Sequence, residues 1–329
     1  MARIFQALWD ADQAGNGVPA LRPGELRDPA RGFVVVDERQ APVDPDHRVL
    51  AEVSIPEAKA ETYRLCERLF DNYAFARRAR EETDAAEARE ERDFIEAILP
   101  SPVIRLARAH LARALDTAIT DNAMAAMIRE TWFETGSSGS QRGASGFEHV
   151  FVGEQASRAN EIGGYHFWYR YHLDEGGRGQ RTVAGDDRIE YLGTRYHKAA
   201  EPKRGILVPE IVTLQLAWAA PFADRAGADP DGITRLRKPI GGFFVGCSPE
   251  GLIALGLVRC RTREGEITRI NGAEYRLDLH ALDNRPNAIR TFFPRFLRAG
   301  VTGIDDDGGG DGGDDGGVGG AGGTGEAAA

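Results

Sequence analysis

The sequence contains only three cysteines, Cys66, Cys247 and Cys260, in 329 residues. Their odd number and wide spacing exclude a disulfide framework, and they lack the paired spacing of a zinc-binding cluster. We therefore expect three free thiols in the interior of the protein.

Long apolar runs are also missing. No stretch approaches the roughly 20 consecutive apolar residues of a membrane-spanning helix, and the first ten residues lack an apolar run long enough for a signal peptide. We interpret the chain as a cytoplasmic protein that does not contact a membrane. Its 42% apolar and 28% charged residues are ordinary for a globular protein with a buried core.

An overall basic excess is absent, because the formal net charge is −10. The charge is unevenly distributed, with −7 over residues 1–139, +4 over residues 140–300 and −7 over residues 301–329. The positive excess of the middle section is modest. It fits an ordinary solvated surface as well as a surface that binds a polyanion.

The first half of the chain divides into a loop-rich lead-in, residues 1–54, and a helical subdomain, residues 55–135. Ser54 and Glu57 have the spacing of a capping box, which predicts a helix start there. Apolar residues then recur every three or four positions, as an amphipathic helix requires. They are Tyr63, Cys66, Leu69, Phe70, Tyr73, Phe94, Ile95, Ile98, Ile104, Leu111 and Leu115.

The pattern changes after a Gly/Ser-rich segment at residues 136–140. Alternating apolar and polar residues predict strands at 148–153, 165–173, 210–218, 242–245, 252–259 and 273–279. Few helical stretches separate them, so we expect antiparallel sheets and an α+β fold. Residues 219–237 are predicted to form a long loop, and the Gly/Asp repeats of residues 301–329 a disordered tail.

Two of the seven histidines, His149 and His166, lie in neighbouring predicted strands, and a hairpin would bring their imidazoles together. An ordinary histidine pKa of about 6.5 makes both protonation states accessible near neutral pH, which suits proton transfer. A histidine in an apolar strand is also often a structural residue. The pattern alone leaves both interpretations open.

Five motifs follow one another between residues 145 and 295. They are Ser145-Gly146-Phe147-Glu148-His149-Val150-Phe151-Val152-Gly153-Glu154, the Gly-x-His-x-Trp pattern from Gly164 to Trp168, Thr213-Leu214-Gln215-Leu216-x-Trp218, Lys238-Pro239-Ile240-Gly241 with Phe244-Val245-Gly246-x-Ser248-Pro249-Glu250, and Thr291-Phe292-Phe293-Pro294. In this order they resemble the EndoU endoribonucleases, which include poly(U)-specific eukaryotic enzymes and the coronaviral uridylate-specific nuclease. The resemblance implies an α+β fold in which the helical subdomain precedes an antiparallel β-sheet catalytic region, residues 136–300.

The resemblance also implies an activity: cleavage of single-stranded RNA, preferentially at uridines, by its own 2′-hydroxyl, leaving 2′,3′-cyclic phosphate ends. Such a reaction needs a base, an acid and a cation near the phosphorane. By resemblance His166 is the general base, His149 the general acid and Lys238 the stabilising cation. Without the resemblance, Lys238 would be interpreted as a snorkelling lysine before a Pro-Ile-Gly turn.

Six further positions are implied to contact the substrate: Glu148, Glu154, Gly164, Gly242, Thr291 and Phe293. We expect the two glutamates to tune the histidines, with salt bridging or strand-end solvation as the alternative. Phe293 stands where the family usually has Tyr, and Gly242 where some relatives carry a hydroxyl that recognises uracil. A Phe ring still offers a stacking face, worth about 1–3 kcal/mol per base, unless it is a core residue beside Phe292.

The resemblance implies no cofactor required for the chemistry, with Mn²⁺ as an activator at most and no metal ligands among the site residues. The expected partner is single-stranded RNA, not DNA. Two alternatives stay open at this point. One is an RNA-binding module that has lost catalysis, and the other is a metal-dependent hydrolase built on Glu148, His149 and Glu154.

Overall fold

The computed structural model describes residues 3–37, 48–73, 84–136, 143–156, 160–175, 180–183, 187–196, 208–219 and 235–299. The predicted tail, residues 301–329, lies outside these ranges, as do residues 220–234 of the predicted loop. The ends of that loop prediction, residue 219 and residues 235–237, were wrong because they belong to strands.

Seven α-helices lie in the described part of the chain. They are α1 (Ile4–Ala14), α2 (Ala60–Arg68), α3 (Ala85–Ile98), α4 (Pro102–Ala114), α5 (Asp121–Trp132), α6 (Trp168–Glu175) and α7 (Pro249–Thr262). Short 3₁₀ turns flank α2 at Glu57–Lys59 and Leu69–Asp71. Helices α2 to α5 lie within the predicted helical subdomain, residues 55–135, of which residues 74–83 lie outside the described ranges.

Twelve strands form four sheets within the described residues. They are β1 (Ala20–Leu21), β2 (Phe33–Val36), β3 (Leu50–Ser54), β4 (Glu154–Gln155), β5 (Ile162–Gly163), β6 (Gln180–Val183), β7 (Asp187–Tyr196), β8 (Ile211–Ala219), β9 (Arg235–Phe244), β10 (Ile267–Ile270), β11 (Ala273–Leu282) and β12 (Arg285–Arg298). The orders are β1-β2-β3, β4-β5, β6-β7-β8-β9 and β10-β11-β12. All neighbouring strands except the parallel pair β1-β2 are antiparallel, which confirms the α+β fold class.

Most of these helices begin at a residue whose side chain caps the first turn. Asp84 caps α3 in a reciprocal capping box, while Ser101, Thr120 and Ser248 accept from backbone amides at the starts of α4, α5 and α7. The capping box predicted at Ser54 was wrong. Ser54 instead ends β3, opposite Phe33 of β2, so its backbone is committed to the sheet.

Helix α7 lies inside one large apolar cluster that extends in sequence from Phe5 of α1 to Phe292 of β12. Most residues of α7 are buried, and Trp132 of α5 donates its indole N–H to the Ile253 carbonyl at 3.1 Å. A helix that is apolar all round has no 3.6-residue pattern. This is why the prediction of a strand at residues 252–259 was wrong.

The remaining strand predictions were confirmed only in part. Strands at residues 210–218 and 273–279 are confirmed by β8 and β11, and the strand at 242–245 is the end of the longer β9. The strands predicted at 148–153 and 165–173 were wrong, because the first is a helical turn and most of the second is α6. Helix α1 was missed, although its buried Phe5, Leu8, Trp9 and Asp12 have helical spacing.

Candidate active site

His149 lies on a π-helical turn, Glu148–Val152, rather than on a strand. The turn is started by Ser145, whose hydroxyl accepts from the Glu148 N–H at 3.1 Å while the Glu148 carboxylate accepts from the Ser145 N–H at 3.3 Å. This is a reciprocal capping box. Glu148 is 3% exposed, so its described contacts are structural rather than part of an open substrate surface.

Gly164 brings the second histidine to the first. Its φ is +61°, and a Cβ at this position would overlap the His149 carbonyl oxygen. That carbonyl accepts from the Tyr165 N–H at 2.7 Å, and the Val150 carbonyl accepts from the His166 N–H at 2.7 Å. The imidazoles of His149 and His166 therefore lie with their ring centroids 6.5 Å apart, and the short antiparallel pair β4-β5 lies between them in sequence.

The His166 ring is fixed on two sides. Its Nδ1 lies 2.9 Å from the Gly242 carbonyl oxygen of β9, and its ring stacks on Phe293 of β12 with centroids 4.6 Å apart. A carbonyl oxygen can only accept, so Nδ1 carries the hydrogen and Nε2 of the neutral ring keeps its lone pair. Burial and the nearby Lys238 charge lower the pKa of His166 well below 6.5.

His149 is held instead by a carboxylate. Its Nδ1 lies 2.6 Å from Oε1 of Glu154, which also accepts from Arg290. Burial lowers the pKa of His149, and the hydrogen bond and charge of Glu154 oppose that effect. Burial would raise the pKa of Glu154, but His149 and Arg290 outweigh it, so this pKa lies below its ordinary value. Glu154 is thus an ionised partner of His149.

Lys238 lies in the middle of β9, opposite Leu216 of β8, and is 6% exposed. Burial lowers its pKa to about 8, an effect that Glu161 opposes. A Cβ on Gly241 would lie 2.5 Å from the Lys238 Cε, so this glycine leaves space for the lysine chain. The interpretation of Lys238 as a snorkelling residue before a turn is therefore wrong.

Thr291 to Pro294 lie within β12. The pairing of β11 with β12 skips Arg290, since His280 pairs with Thr291 and Ala281 with Ile289. Such a bulge changes which side chains share a face of the strand. Ile289 and Phe292 are fully buried in the core, while Arg290 and Phe293 contact Glu154 and His166.

The predicted site residues therefore differ in what they contribute. His149, His166, Lys238, Glu154 and Phe293 surround one place, and Gly242 supplies the carbonyl that holds His166. Glu148 and Gly164 instead contribute to the backbone arrangement that positions His149 and His166. The Thr291 hydroxyl oxygen is buried and has no hydrogen-bond partner among the described residues.

Sequence reasoning missed three contributors: Ser145, Glu161 and Arg290. The Ser-x-x-Glu spacing of Ser145 and Glu148 is a recognisable capping signal. No comparable signal marks Arg290, because its place in the site depends on the bulge in β12.

The family resemblance implies Mn²⁺ as an activator at most. The described ranges contain no group of three or more His, Cys, Asp or Glu side chains that could hold a metal ion. The two nearby carboxylates also have other partners, since Glu148 caps Ser145 and Glu154 binds His149 and Arg290. These residues do not form a ligand set for a hard divalent ion, which prefers several oxygen ligands.

The profile of a family described as Endoribonuclease XendoU matches residues 2–294. The chain belongs to the XendoU endoribonuclease family. Its relatives include Poly(U)-specific endoribonuclease-B of Xenopus laevis, 26% identical over 306 residues that cover 90% of this chain and 94% of that protein. Poly(U)-specific endoribonuclease of Xenopus tropicalis is 27% identical, with 90% and 93% covered. The recognition from five ordered motifs is thereby confirmed.

A solved structure of XendoU, described as a splicing independent snoRNA processing endoribonuclease, has the same fold. It superposes with a TM-score of 0.63 at 24% sequence identity, covering 91% of this XendoU-family chain and 96% of the other. Among the described residues of this chain, no helix combines the length and apolar character that crossing a membrane requires.

Proposed function

We propose that this protein is an endoribonuclease that cleaves single-stranded RNA, preferentially at uridines, through attack of the 2′-hydroxyl on the adjacent phosphate. The observation that carries the proposal is the pair of imidazoles 6.5 Å apart, each with its Nδ1 held by an acceptor, beside a buried lysine. The nucleophile explains a preference for RNA over DNA, because DNA lacks the 2′-hydroxyl.

His166 acts as the general base in this proposal. The Gly242 carbonyl holds the hydrogen on Nδ1, and the low pKa keeps the ring neutral, so Nε2 is free to take the 2′-hydroxyl proton. The stack on Phe293 fixes the plane of the ring.

His149 acts as the general acid. Of the two imidazoles, it alone is hydrogen-bonded to a carboxylate, and the Glu154 charge favours the protonated ring. With Nδ1 directed at Glu154, Nε2 is the nitrogen that can deliver a proton to the departing 5′-oxygen. The products are a 2′,3′-cyclic phosphate and a free 5′-hydroxyl.

Lys238 stabilises the phosphorane. A buried ammonium group has few water molecules to compete with a developing phosphorane charge, so its electrostatic effect is stronger than on the surface. Its pKa of about 8 keeps it mostly charged at neutral pH.

Uridine preference is proposed from the relatives, which are named poly(U)-specific or uridylate-specific endoribonucleases. One face of Phe293 lies on His166, so uracil would stack on the other face. The Thr291 hydroxyl, which has no hydrogen-bond partner in the described part of the chain, is a further candidate for contact with the substrate. Gly242 adds no side chain for base recognition, and its contribution is the carbonyl that holds His166.

We also propose that the chemistry needs no metal, with Mn²⁺ as an activator at most. A cytoplasmic location is proposed because Cys66, Cys247 and Cys260 are buried free thiols, as expected in a reducing compartment.

The direct test is cleavage of a mixed-sequence RNA, with and without EDTA, followed by mapping of the cut sites. Wild-type protein should cut 3′ of uridines in both conditions. His149→Ala and His166→Ala should each lower turnover by about 100- to 10,000-fold, the usual contribution of positioned proton transfer. The control, His110→Ala, removes a histidine of α4 outside the site and should leave turnover unchanged.

Three results would contradict the proposal. Normal turnover in either active-site variant would make that histidine structural. Cleavage abolished by EDTA would favour a metal-dependent hydrolase, and binding without cleavage would favour an RNA-binding module.

A further inference from the structure

We propose that the outward face of the β10-β11-β12 sheet binds the RNA strand on the 5′ side of the cleaved nucleotide, through Arg276 and Arg295. We call this surface the arginine face, and it carries Arg269, Arg276, Arg295 and Arg298. The proposal rests on the proposed function, since it extends that active site along the substrate.

Strand alternation separates the arginine face from the core. Tyr275 and Leu277 of β11 are fully buried, whereas Arg276, between them, has a side chain that is 40% exposed. Arg295 of β12 is paired directly with Arg276, and its side chain is 57% exposed. Both arginines therefore project from the outward side of the sheet.

The direct pairing of Arg276 with Arg295 is unfavourable for a sheet, because like charges opposite each other destabilise it. Partial compensation comes from Asp278, 2.8 Å from Arg295, and Glu266, 3.9 Å from Arg276. A phosphate between the two guanidinium groups would relieve the repulsion.

Strand β12 connects this arginine pair to the active site. Along the strand, Arg290 contacts the Glu154 carboxylate that holds His149, Phe293 stacks on His166, and Arg295 follows two residues later. Two residues of a strand advance about 7 Å, which is comparable to the length of one extended nucleotide. The arginine pair is thus about one nucleotide beyond the general base.

The order of these contacts gives the substrate a direction. His149 protonates the 5′-oxygen of the downstream nucleotide, and His166 takes the proton from the 2′-hydroxyl of the upstream one. An RNA chain that runs from His149 past His166 therefore continues towards its own 5′ end. The arginines that follow Phe293 therefore face the 5′ flank of the RNA.

The same face continues to a cavity of about 560 Å³, whose charged lining is Arg22, Arg269 and Arg298 together with Glu25, Glu210 and Glu274. Glu274 forms ion pairs with the last two of these arginines, at 3.8 Å and 2.8 Å. With Glu266, which pairs with Arg276, the arginine face has four arginines against the three carboxylates of Glu266, Glu274 and Asp278. The remaining positive charge complements a phosphate chain.

The experiment compares three substrates: a dinucleotide with a 5′ uridine, the same dinucleotide extended by two nucleotides on the 5′ side, and one extended by two on the 3′ side. Wild-type kcat/KM should rise with the 5′ extension. Arg276→Gln and Arg295→Gln should each lose about tenfold on the 5′-extended substrate and keep wild-type kcat/KM on the dinucleotide, because a charged hydrogen bond is worth about that factor.

Arg64→Gln is the matched control. Arg64 lies on α2 and forms an exposed ion pair with Glu57, with its side chain 54% exposed, so it resembles Arg295 without belonging to the arginine face. It should cleave all three substrates like wild-type protein. An equal loss in Arg64→Gln would overturn the proposal, since it would indicate a general charge effect.

Binding of the same oligonucleotides with 2′-deoxyuridine in place of uridine tests the face without cleavage. Each arginine variant should bind the 5′-extended analogue less tightly, and the slope of log K against log salt should fall by about 0.7 per lost contact. Equal losses on all three analogues, or a loss confined to the 3′-extended one, would overturn the proposal. If wild-type protein cleaves nothing yet shows this binding pattern, the proposed function fails and the arginine face stands.

Discussion

The imidazoles of His149 and His166 differ most in the group that is hydrogen-bonded to Nδ1. A neutral carbonyl fixes Nδ1 of His166, and an ionised carboxylate fixes Nδ1 of His149. Burial lowers the pKa of both, but only His149 has a carboxylate that opposes this effect. In the proposed mechanism these environments separate a base from an acid, which the two similar His motifs of the sequence do not.

These pKa shifts predict the pH dependence of kcat/KM. The base must be neutral and the acid charged, and both pKa values lie below 6.5, so the maximum should lie below pH 6.5. Activity should fall further above about pH 8, where Lys238 loses its proton.

Two variants should shift the alkaline limb of the pH profile of kcat/KM in opposite directions. Glu154→Gln removes the charge that raises the pKa of His149, so the limb should shift to lower pH. Arg290→Gln removes a charge that lowers this pKa, so the limb should shift to higher pH. Profiles that coincide with wild type in both variants would contradict the assignment of His149 as the acid.

Phe293 and Phe292 are adjacent in sequence but should respond differently to truncation. Phe293→Ala removes the stack that orients His166 and should lower kcat about tenfold, since an aromatic pair is worth about 0.5–1.5 kcal/mol. Phe293→Tyr keeps the stack and should cleave uridine sites at least as well as wild type.

Phe292→Ala is the contrasting variant. Phe292 is fully buried against Trp132, so its truncation should destabilise the fold by about 3–5 kcal/mol. Urea unfolding and kcat, measured on each variant, separate the two effects. Normal kcat per folded molecule in Phe293→Ala would show that its ring has no role in catalysis.

At the scale of elements, the site depends on three irregularities: the π-helical turn 148–152, the left-handed Gly164 and the bulge at Arg290. Helices with side-chain caps and periodic apolar residues, such as α3 and α4, could be predicted from sequence. The π turn could not, because Val150, Phe151 and Val152 form a short apolar run that is equally typical of a buried strand. Tertiary packing decides between the two.

Gly164→Ala tests the close contact between Gly164 and the His149 carbonyl. The added methyl would overlap the His149 carbonyl oxygen and would also occupy a left-handed φ of +61°. We expect a lower melting temperature and at least a hundredfold loss of kcat, because the two histidine segments would separate.

Gly24→Ala is its control, since this glycine has a φ of +89° but an added methyl group would have no neighbouring atom within 4 Å. It should show only the conformational cost, about 1–2 kcal/mol, with normal turnover per folded molecule. Similar turnover in both variants would show that the Gly164 contact does not position the histidines.

Across the whole molecule, α1 and α7 meet at a buried carboxyl group. Asp12 accepts from the Ser248 N–H at 3.1 Å and from the Ser248 hydroxyl, and Glu250 lies close enough to raise its pKa further. The contribution of α1 was not predicted, because the early segment is rich in Pro, Asp and Gly. The proposed boundaries at residues 54, 135 and 300 stay predictions.

Asp12→Asn should change how stability depends on pH. Burial, with the Glu250 charge, raises the pKa of Asp12 from 3.8 to about 7 in the folded protein. The stability contributed by the protonated group is complete below its unfolded pKa and is lost as pH rises through about 7. An asparagine does not titrate, so the variant should gain stability relative to wild type between pH 5 and pH 8 in urea unfolding. An equal difference at both pH values would contradict this.

The central claim is that the substrate's own 2′-hydroxyl cleaves the RNA without a metal. The most direct measurement is mass spectrometry of the products from an oligonucleotide with a single uridine, in EDTA, beside an identical oligonucleotide with 2′-deoxyuridine. We predict a 2′,3′-cyclic phosphate and a 5′-hydroxyl from the first and no cleavage of the second. Cleavage of the deoxyuridine oligonucleotide, or products ending in 5′-phosphate, would contradict the account.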